Sequence, residues 1–126
     1  MVVFVVDDNE DITDFLACLL SGQGIDVHTF NHPLAALACI KQSQLMPRWL
    51  ISDYNLPSIN GVELHKRIKS LTPNLQTLII SGRNAQPDVG HIPFMQKPFQ
   101  PEQLINHIRS HQVASDCTRP ITSAHI

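Results

Sequence analysis

The stretch Val2-Val3-Phe4-Val5-Val6-Asp7-Asp8-Asn9 decides how the chain is read. Its first five residues are apolar, mostly β-branched and uninterrupted. That is the pattern of a strand covered on both faces in a parallel sheet, not of a strand with one wet side. Two carboxylates then end the run. Five residues are too few to cross a membrane and no basic segment precedes them, so neither a membrane span nor a signal peptide is expected.

Outward from this stretch, apolar runs alternate with amphipathic ones. Asn9 to Leu20 predicts a helix, with Asn9 as cap, Glu10 and Asp11 in the first turn, and Ile12, Phe15, Leu16, Leu19 and Leu20 as its inward stripe. Ser21-Gly22-Gln23-Gly24 ends it. Ile25–Phe30 predicts a second strand. Pro33 opens a second helix carrying Leu34, Leu37, Ala38 and Ile40. Trp49–Ser52 predicts a third strand, ending at Asp53. A loop over 55–60 follows, then a third helix with Val62, Leu64, Ile68 and Leu71 inward. Asn60 and Glu63 stand at capping-box spacing. Leu75–Ile80 and Ile92–Gln96 predict strands four and five, and Pro101 starts a last helix through Leu104, Ile105 and Ile108. Residues 1–111 form the expected domain, and 112–126 a polar C-terminal tail. Five strands alternating with helices predict an α/β fold with helices on both faces of a parallel sheet. The flavodoxin-like strand order 2-1-3-4-5 fits best, and Pro93 belongs with an edge strand, which strand five is in that order.

The 126 residues suit one domain with a single core. Hydrophobic residues make up 43% and charged residues 16%, which excludes a disordered chain. Nine Lys+Arg against 11 Asp+Glu give a net charge of −2, with no basic footprint for nucleic acid or an anionic membrane. Cys18, Cys39 and Cys117 match neither a zinc set nor a redox pair. Cys18 and Cys39 are expected as buried free thiols, and the setting as reducing and cytoplasmic. The seven histidines lack ligand spacing, and Trp49 is expected to pack.

In such a fold, ligands gather at the carboxyl ends of the strands. Strand one ends in Asp7-Asp8, strand three in Asp53, strand four in Ser81, and strand five just before Lys97. Three carboxylates repel one another, and a hard divalent cation relieves that repulsion. Oxygen-only ligands favour Mg²⁺ over zinc. With Lys97 as a point charge and Ser81 as a donor, the set suits a phosphoryl group in transfer, and Asp53 is available as nucleophile.

These residues resemble a family, the receiver domain of bacterial two-component response regulators. The matching text is Val5-Val6-Asp7-Asp8-Asn9, Ser52-Asp53-Tyr54-Asn55-Leu56-Pro57, Asn60-Gly61-Val62-Glu63-Leu64, Leu78-Ile79-Ile80-Ser81-Gly82 and Lys97-Pro98-Phe99, in order, between Val2 and about His111. The resemblance implies that Asp53 is the phosphoacceptor, charged by a histidine kinase or histidine phosphotransfer protein, and that phosphorylation switches a contact with a downstream protein. It implies Mg²⁺ held by Asp8, Asp53, the backbone carbonyl of Asn55, and Asp7 directly or through water. Lys97 and Ser81 would each hold a phosphoryl oxygen, and Phe94 would change rotamer on activation. Asn55 and Arg83 would tune autodephosphorylation, and Lys97-Pro98 would be cis. Such a chain assists its own phosphotransfer and hydrolysis without being a metabolic enzyme.

The chain departs from the family between strands four and five. Gly82 to His91 is short and contains Gly82, Asn84, Pro87 and Gly90, so the crossover helix there is expected to be missing or about one turn long. That leaves apolar residues of strands four and five less covered, which favours a partner or a homodimer contact. The residues after His111 are too few for a helix-turn-helix domain, so a stand-alone receiver or a piece of a longer protein is expected. Two other readings compete: a pseudo-receiver that binds partners independently of phosphorylation, and an aspartate-nucleophile phosphohydrolase. Against the latter, Asn55 stands where a common form of such enzymes has a second Asp.

Overall fold

Five strands and four helices alternate along the described residues, except that the last two strands follow one another. The computed structural model describes residues 1–82 and 89–115, the last five as backbone only. In chain order the elements are β1 (Val2–Val6), α1 (Glu10–Ser21), β2 (Asp26–Phe30), α2 (Pro33–Ser43), β3 (Trp49–Asp53), α3 (Gly61–Leu71), β4 (Gln76–Ser81), β5 (Phe94–Gln96) and α4 (Pro101–Ser115).

The strands form one sheet in the order β2-β1-β3-β4-β5, with every pairing parallel. This is the expected flavodoxin-like arrangement. Strand order reverses at β1, so the crevice lies beside β1 and β3. Strands β1, β3 and β4 are almost wholly buried, which is why they read as continuous apolar runs. Strands β2 and β5 are edges and stay half-exposed. Strand β5 starts at Phe94 rather than Ile92. Pro93 has no N–H to give the ladder, although its carbonyl accepts from Ile79 N at 2.9 Å.

Each face of the sheet carries its own core. On one face Val3, Val5, Ile51, Leu78 and Ile80 pack against Leu16 and Leu20 of α1 and Leu104 and Ile108 of α4. On the other, Phe4, Val6 and Leu50 meet Ala36, Leu37 and Ile40 of α2 and Leu64 and Ile68 of α3. Trp49 is 2% exposed within the first core, as expected.

Three apolar side chains assigned inward are instead exposed. Phe15 is 45% exposed because Thr13, Leu16 and Leu20 form the buried line of α1, and Phe15 stands on its flank. The Thr13 hydroxyl donates to Glu10 O at 3.0 Å, which lets a polar residue take a core position. Leu34 flanks the buried line Pro33-Ala36-Leu37-Ile40 of α2, and Leu71 ends α3; they are 45% and 41% exposed. The cysteine expectation is also corrected. Cys18 is exposed and Cys39 half-buried, because both lie off the buried stripes of their helices.

Among the described residues between β4 and β5, Gly82 and 89–93, no helix occurs. Ile92 N closes a turn on Val89 O at 3.1 Å. The expectation of a missing or one-turn crossover helix is consistent with this, while residues 83–88, Arg83 among them, lie outside the described residues. No helix among the described residues is long and apolar enough to cross a membrane.

Candidate functional site

The site is built at the carboxyl ends of β1, β3, β4 and β5. Asp7 and Asp8 follow β1, Asp53 ends β3, Ser81 ends β4, and Lys97 follows β5. The parallel register brings these distant parts of the chain together: Val6 pairs with Ser52, Asp53 with Ile80, and Ser81 with Gln96.

One carboxylate oxygen from each of Asp7, Asp8 and Asp53 lies within 4.8 Å of the other two. Lys97 Nζ is 2.9 Å from Asp7 Oδ2 and 3.8 Å from Asp53 Oδ2. Asp7 is 2% exposed, and its other oxygen accepts from Asn9 N at 2.9 Å. Both Asp7 oxygens therefore already have donors. Asp8 is exposed and Asp53 is 9% exposed at the base of the site.

Burial pushes the Asp53 carboxyl above its ordinary range. The Lys97 ammonium opposes that push and the Asp7 carboxylate reinforces it. The Asn55 backbone N–H, donating to Asp53, lowers it, and Asp8 adds a smaller upward push. A buried carboxylate beside two others, with one ammonium shared between them, is an anionic site short of positive charge. The donor set is all oxygen, and the exposed side at Asp8 leaves room for water. Those features fit a hard divalent cation such as Mg²⁺.

The chain after Asp53 is shaped to keep this carboxylate in place. Tyr54 N donates to Ile80 O at 2.8 Å, and Gly61 N returns to Tyr54 O at 2.9 Å, closing the 55–60 loop. A Cβ on Gly61 would stand 2.5 Å from the Asp53 carbonyl oxygen, so only glycine fits there. Asn60 Oδ1 caps α3 through Glu63 N at 2.8 Å. Lys97 is set by its own N–H, which donates to Ser81 O at 2.7 Å, and the following Lys97-Pro98 bond is cis.

The structure thus brings Asp7, Asp8, Asp53 and Lys97 into one cluster. Ser81 lies 1% exposed at the end of the neighbouring strand, and Asn55 is exposed at the mouth. Phe94 is half-buried and pairs with Ile79, two positions back along β4 from Ser81. Two contributions were not legible. Asn9, the expected cap of α1, also donates its backbone N–H to Asp7 Oδ1. Asn31, after β2, donates Nδ2 to the Asp7 carbonyl at 3.3 Å. A polar residue after an edge strand looks like any turn residue, so no sequence signal marked Asn31.

A sequence profile described as the response regulator receiver domain matches residues 3–109. The chain belongs to the response regulator receiver domain family. This receiver domain is 30% identical over 114 residues to the transcriptional regulatory protein CreB of Escherichia coli, covering 86% of this chain and 49% of that protein. It is also 30% identical over 114 residues to the transcriptional regulatory protein FixJ of Bradyrhizobium diazoefficiens, covering 86% of this chain and 55% of that one. The receiver domain therefore spans about half the length of these curated relatives. Among solved structures, a CheY-like receiver domain protein of Methanospirillum hungatei superposes with a TM-score of 0.82 at 21% identity, over 94% of this chain and 98% of that one, which supports the fold. The chemotaxis protein CheY4 of Vibrio cholerae gives 0.74 at 26% identity, over 86% and 94%.

Proposed function

We propose that Asp53 is the residue that accepts the phosphoryl group, delivered from a phosphohistidine on a histidine kinase or histidine phosphotransfer protein. The observation that carries this reading is the Asp53 carboxylate at the base of the site, with Lys97 Nζ 3.8 Å away and Asp7 and Asp8 beside it.

A bound Mg²⁺ would be held by Asp8, Asp53 and the Asn55 carbonyl, with Asp7 acting through water because Lys97 and Asn9 occupy its oxygens, and would neutralise charge on the phosphoryl oxygens. An Asp53 carboxylate oxygen attacks phosphorus as the P–N bond to the donor histidine breaks. The bond electrons leave with the imidazole, and an acyl phosphate forms on Asp53. The Lys97 ammonium leaves its pairing with the Asp53 carboxylate for a phosphoryl oxygen. The Ser81 hydroxyl is the second protein donor, at the end of β4. Burial keeps Asp53 poorly solvated, so the carboxylate loses little water when it attacks.

Phosphorylation then switches a protein contact, with Phe94, on the strand next to the one Ser81 ends, as the side chain that reports occupancy. Asn55 and Arg83 govern access of the water that hydrolyses the acyl phosphate. The downstream partner is a protein, or a second copy of this chain, and the setting is the cytoplasm. Incubation with Mg²⁺ and a small phosphodonor, followed by intact mass measurement, tests the assignment. Wild type gains one phosphoryl group and Asp53→Asn gains none; equal uptake by the variant removes Asp53 from the role.

A further inference from the structure

We propose that the Asn31-His32 dipeptide, on the loop between β2 and α2, is a clamp that positions the two ligand-bearing loops of the site. The inference rests on the metal and phosphoryl site proposed above. Strand β2 gives that site no ligand, yet its loop touches both loops that do. Asn31 Nδ2 donates to the Asp7 carbonyl at 3.3 Å, on the segment that carries Asp7 and Asp8. His32 Nε2 lies 3.4 Å from Ser58 Oγ, on the loop that leaves Asp53 and carries Asn55.

Chemistry settles the direction of the second contact. His32 is the N-cap of α2, and its Nδ1 accepts from Leu34 N at 3.1 Å. An accepting Nδ1 carries no proton, so the neutral ring has its hydrogen on Nε2. Nε2–H then donates to the Ser58 hydroxyl. One imidazole is committed at both nitrogens, to its own helix and to the neighbouring loop.

The loop it reaches has need of such a tie. Ser58 has φ of 72°, a left-handed conformation that a residue with a side chain adopts only where its surroundings hold it. Pro57, Ser58 and Asn60 are exposed, and the backbone bonds within the loop, Ile59 N to Pro57 O and Gly61 N to Tyr54 O, fix its shape but not its position over the site. His32 supplies an anchor outside the loop. With Asn31 holding the Asp7 segment, the dipeptide sets the spacing between Asp7-Asp8 and the Asn55 carbonyl.

Two substitutions separate the roles of His32. His32→Asn places an amide oxygen near the Nδ1 position, which keeps the cap but cannot reach Ser58. His32→Gln places an amide N–H near the Nε2 position, which keeps the tie and weakens the cap. Thermal melts of the full chain, titrated with Mg²⁺ alone, read both properties. His32→Asn is expected to keep the metal-free Tm within about 1 °C and to weaken Mg²⁺ affinity about two- to fivefold. His32→Gln is expected to lower Tm by about 3–5 °C while Mg²⁺ affinity stays near wild type. Ser58→Ala should weaken affinity as His32→Asn does, and the two together no further. Unchanged affinity in His32→Asn, affinity that follows Tm across the variants, or fully additive losses in the double variant would each overturn the clamp alone. A wild-type chain with no Mg²⁺-dependent shift would overturn the site reading and the clamp with it.

Discussion

Replacing the proposed phosphoacceptor with its neutral isostere should make the metal-free protein more stable. In Asp53→Asn the side chain keeps its shape, and its amide oxygen can still accept from Asn55 N. The charge is what goes. With an effective dielectric constant of about 20, Asp7, with an oxygen no more than 4.8 Å away, repels the Asp53 carboxylate by about 3.5 kcal/mol. Exposed Asp8 adds roughly 1–2 kcal/mol after solvent screening. Lys97 at 3.8 Å returns about 4 kcal/mol of attraction. These nearly cancel, and the desolvation of a carboxylate only 9% exposed remains on the unfavourable side. The upward shift of the Asp53 carboxyl has the same sign. We expect Asp53→Asn to gain about 1–2 kcal/mol in EDTA at neutral pH, a Tm about 4–8 °C higher. A raised folded-state pKa means ionised Asp53 costs stability above that pKa, so the gap between variant and wild type should close as pH falls through it. Adding Mg²⁺ should raise the wild-type Tm more than that of the variant. Paired thermal melts in EDTA and in Mg²⁺ read all of this. An Asp53→Asn protein no more stable than wild type in EDTA would refute the idea of an anionic site strained by its own charges.

Other perturbations follow from the same geometry. Lys97→Met leaves Asp7 buried without its ammonium partner and should cost about 3 kcal/mol by urea titration in EDTA, with part recovered in Mg²⁺; a loss under about 1 kcal/mol would contradict the pairing. Gly61→Ala puts a methyl 2.5 Å from the Asp53 carbonyl oxygen and should cost about 2–3 kcal/mol and slow phosphoryl uptake, whereas a wild-type rate would show that the close approach is dispensable. His65 is held below the usual imidazole range by burial, then by Lys69 and Lys66, and its Nδ1 lies 2.7 Å from Thr77 Oγ1. A depressed folded-state pKa means the unfolded chain takes up the proton first, so stability is full above about pH 6.5 and falls as pH drops toward the folded value. His65→Gln should flatten that part of the stability profile, and an unchanged slope would assign it to other groups.

How much of this was legible follows from where the physics is local. Strands β1, β3 and β4 are buried on both faces, so their apolar runs declare them, and Asp7, Asp53 and Ser81 are visible as the polar residues that end those runs. Lys97 was recognisable beside Pro98 and Phe99. What could not be read depends on neighbours from elsewhere in the chain. Phe15 lies in the same helical period as Leu16, and only the packing of α1 on the sheet shows that Thr13 has its place. Cys18 looked like a core thiol for the same reason and faces solvent. Asn31 and His32 carry no motif; their contacts to Asp7 and Ser58 come from folding β2 beside β1.

The most direct test of the central claim locates the phosphoryl group itself. The protein is phosphorylated with a small donor and Mg²⁺, reduced with borohydride, which converts an acyl phosphate to an alcohol, and mapped by peptide mass spectrometry. The account predicts homoserine at position 53, with Asp7 and Asp8 recovered unchanged. Homoserine at 7 or 8, or a phosphoryl group that survives on a histidine while position 53 stays aspartate, would contradict it.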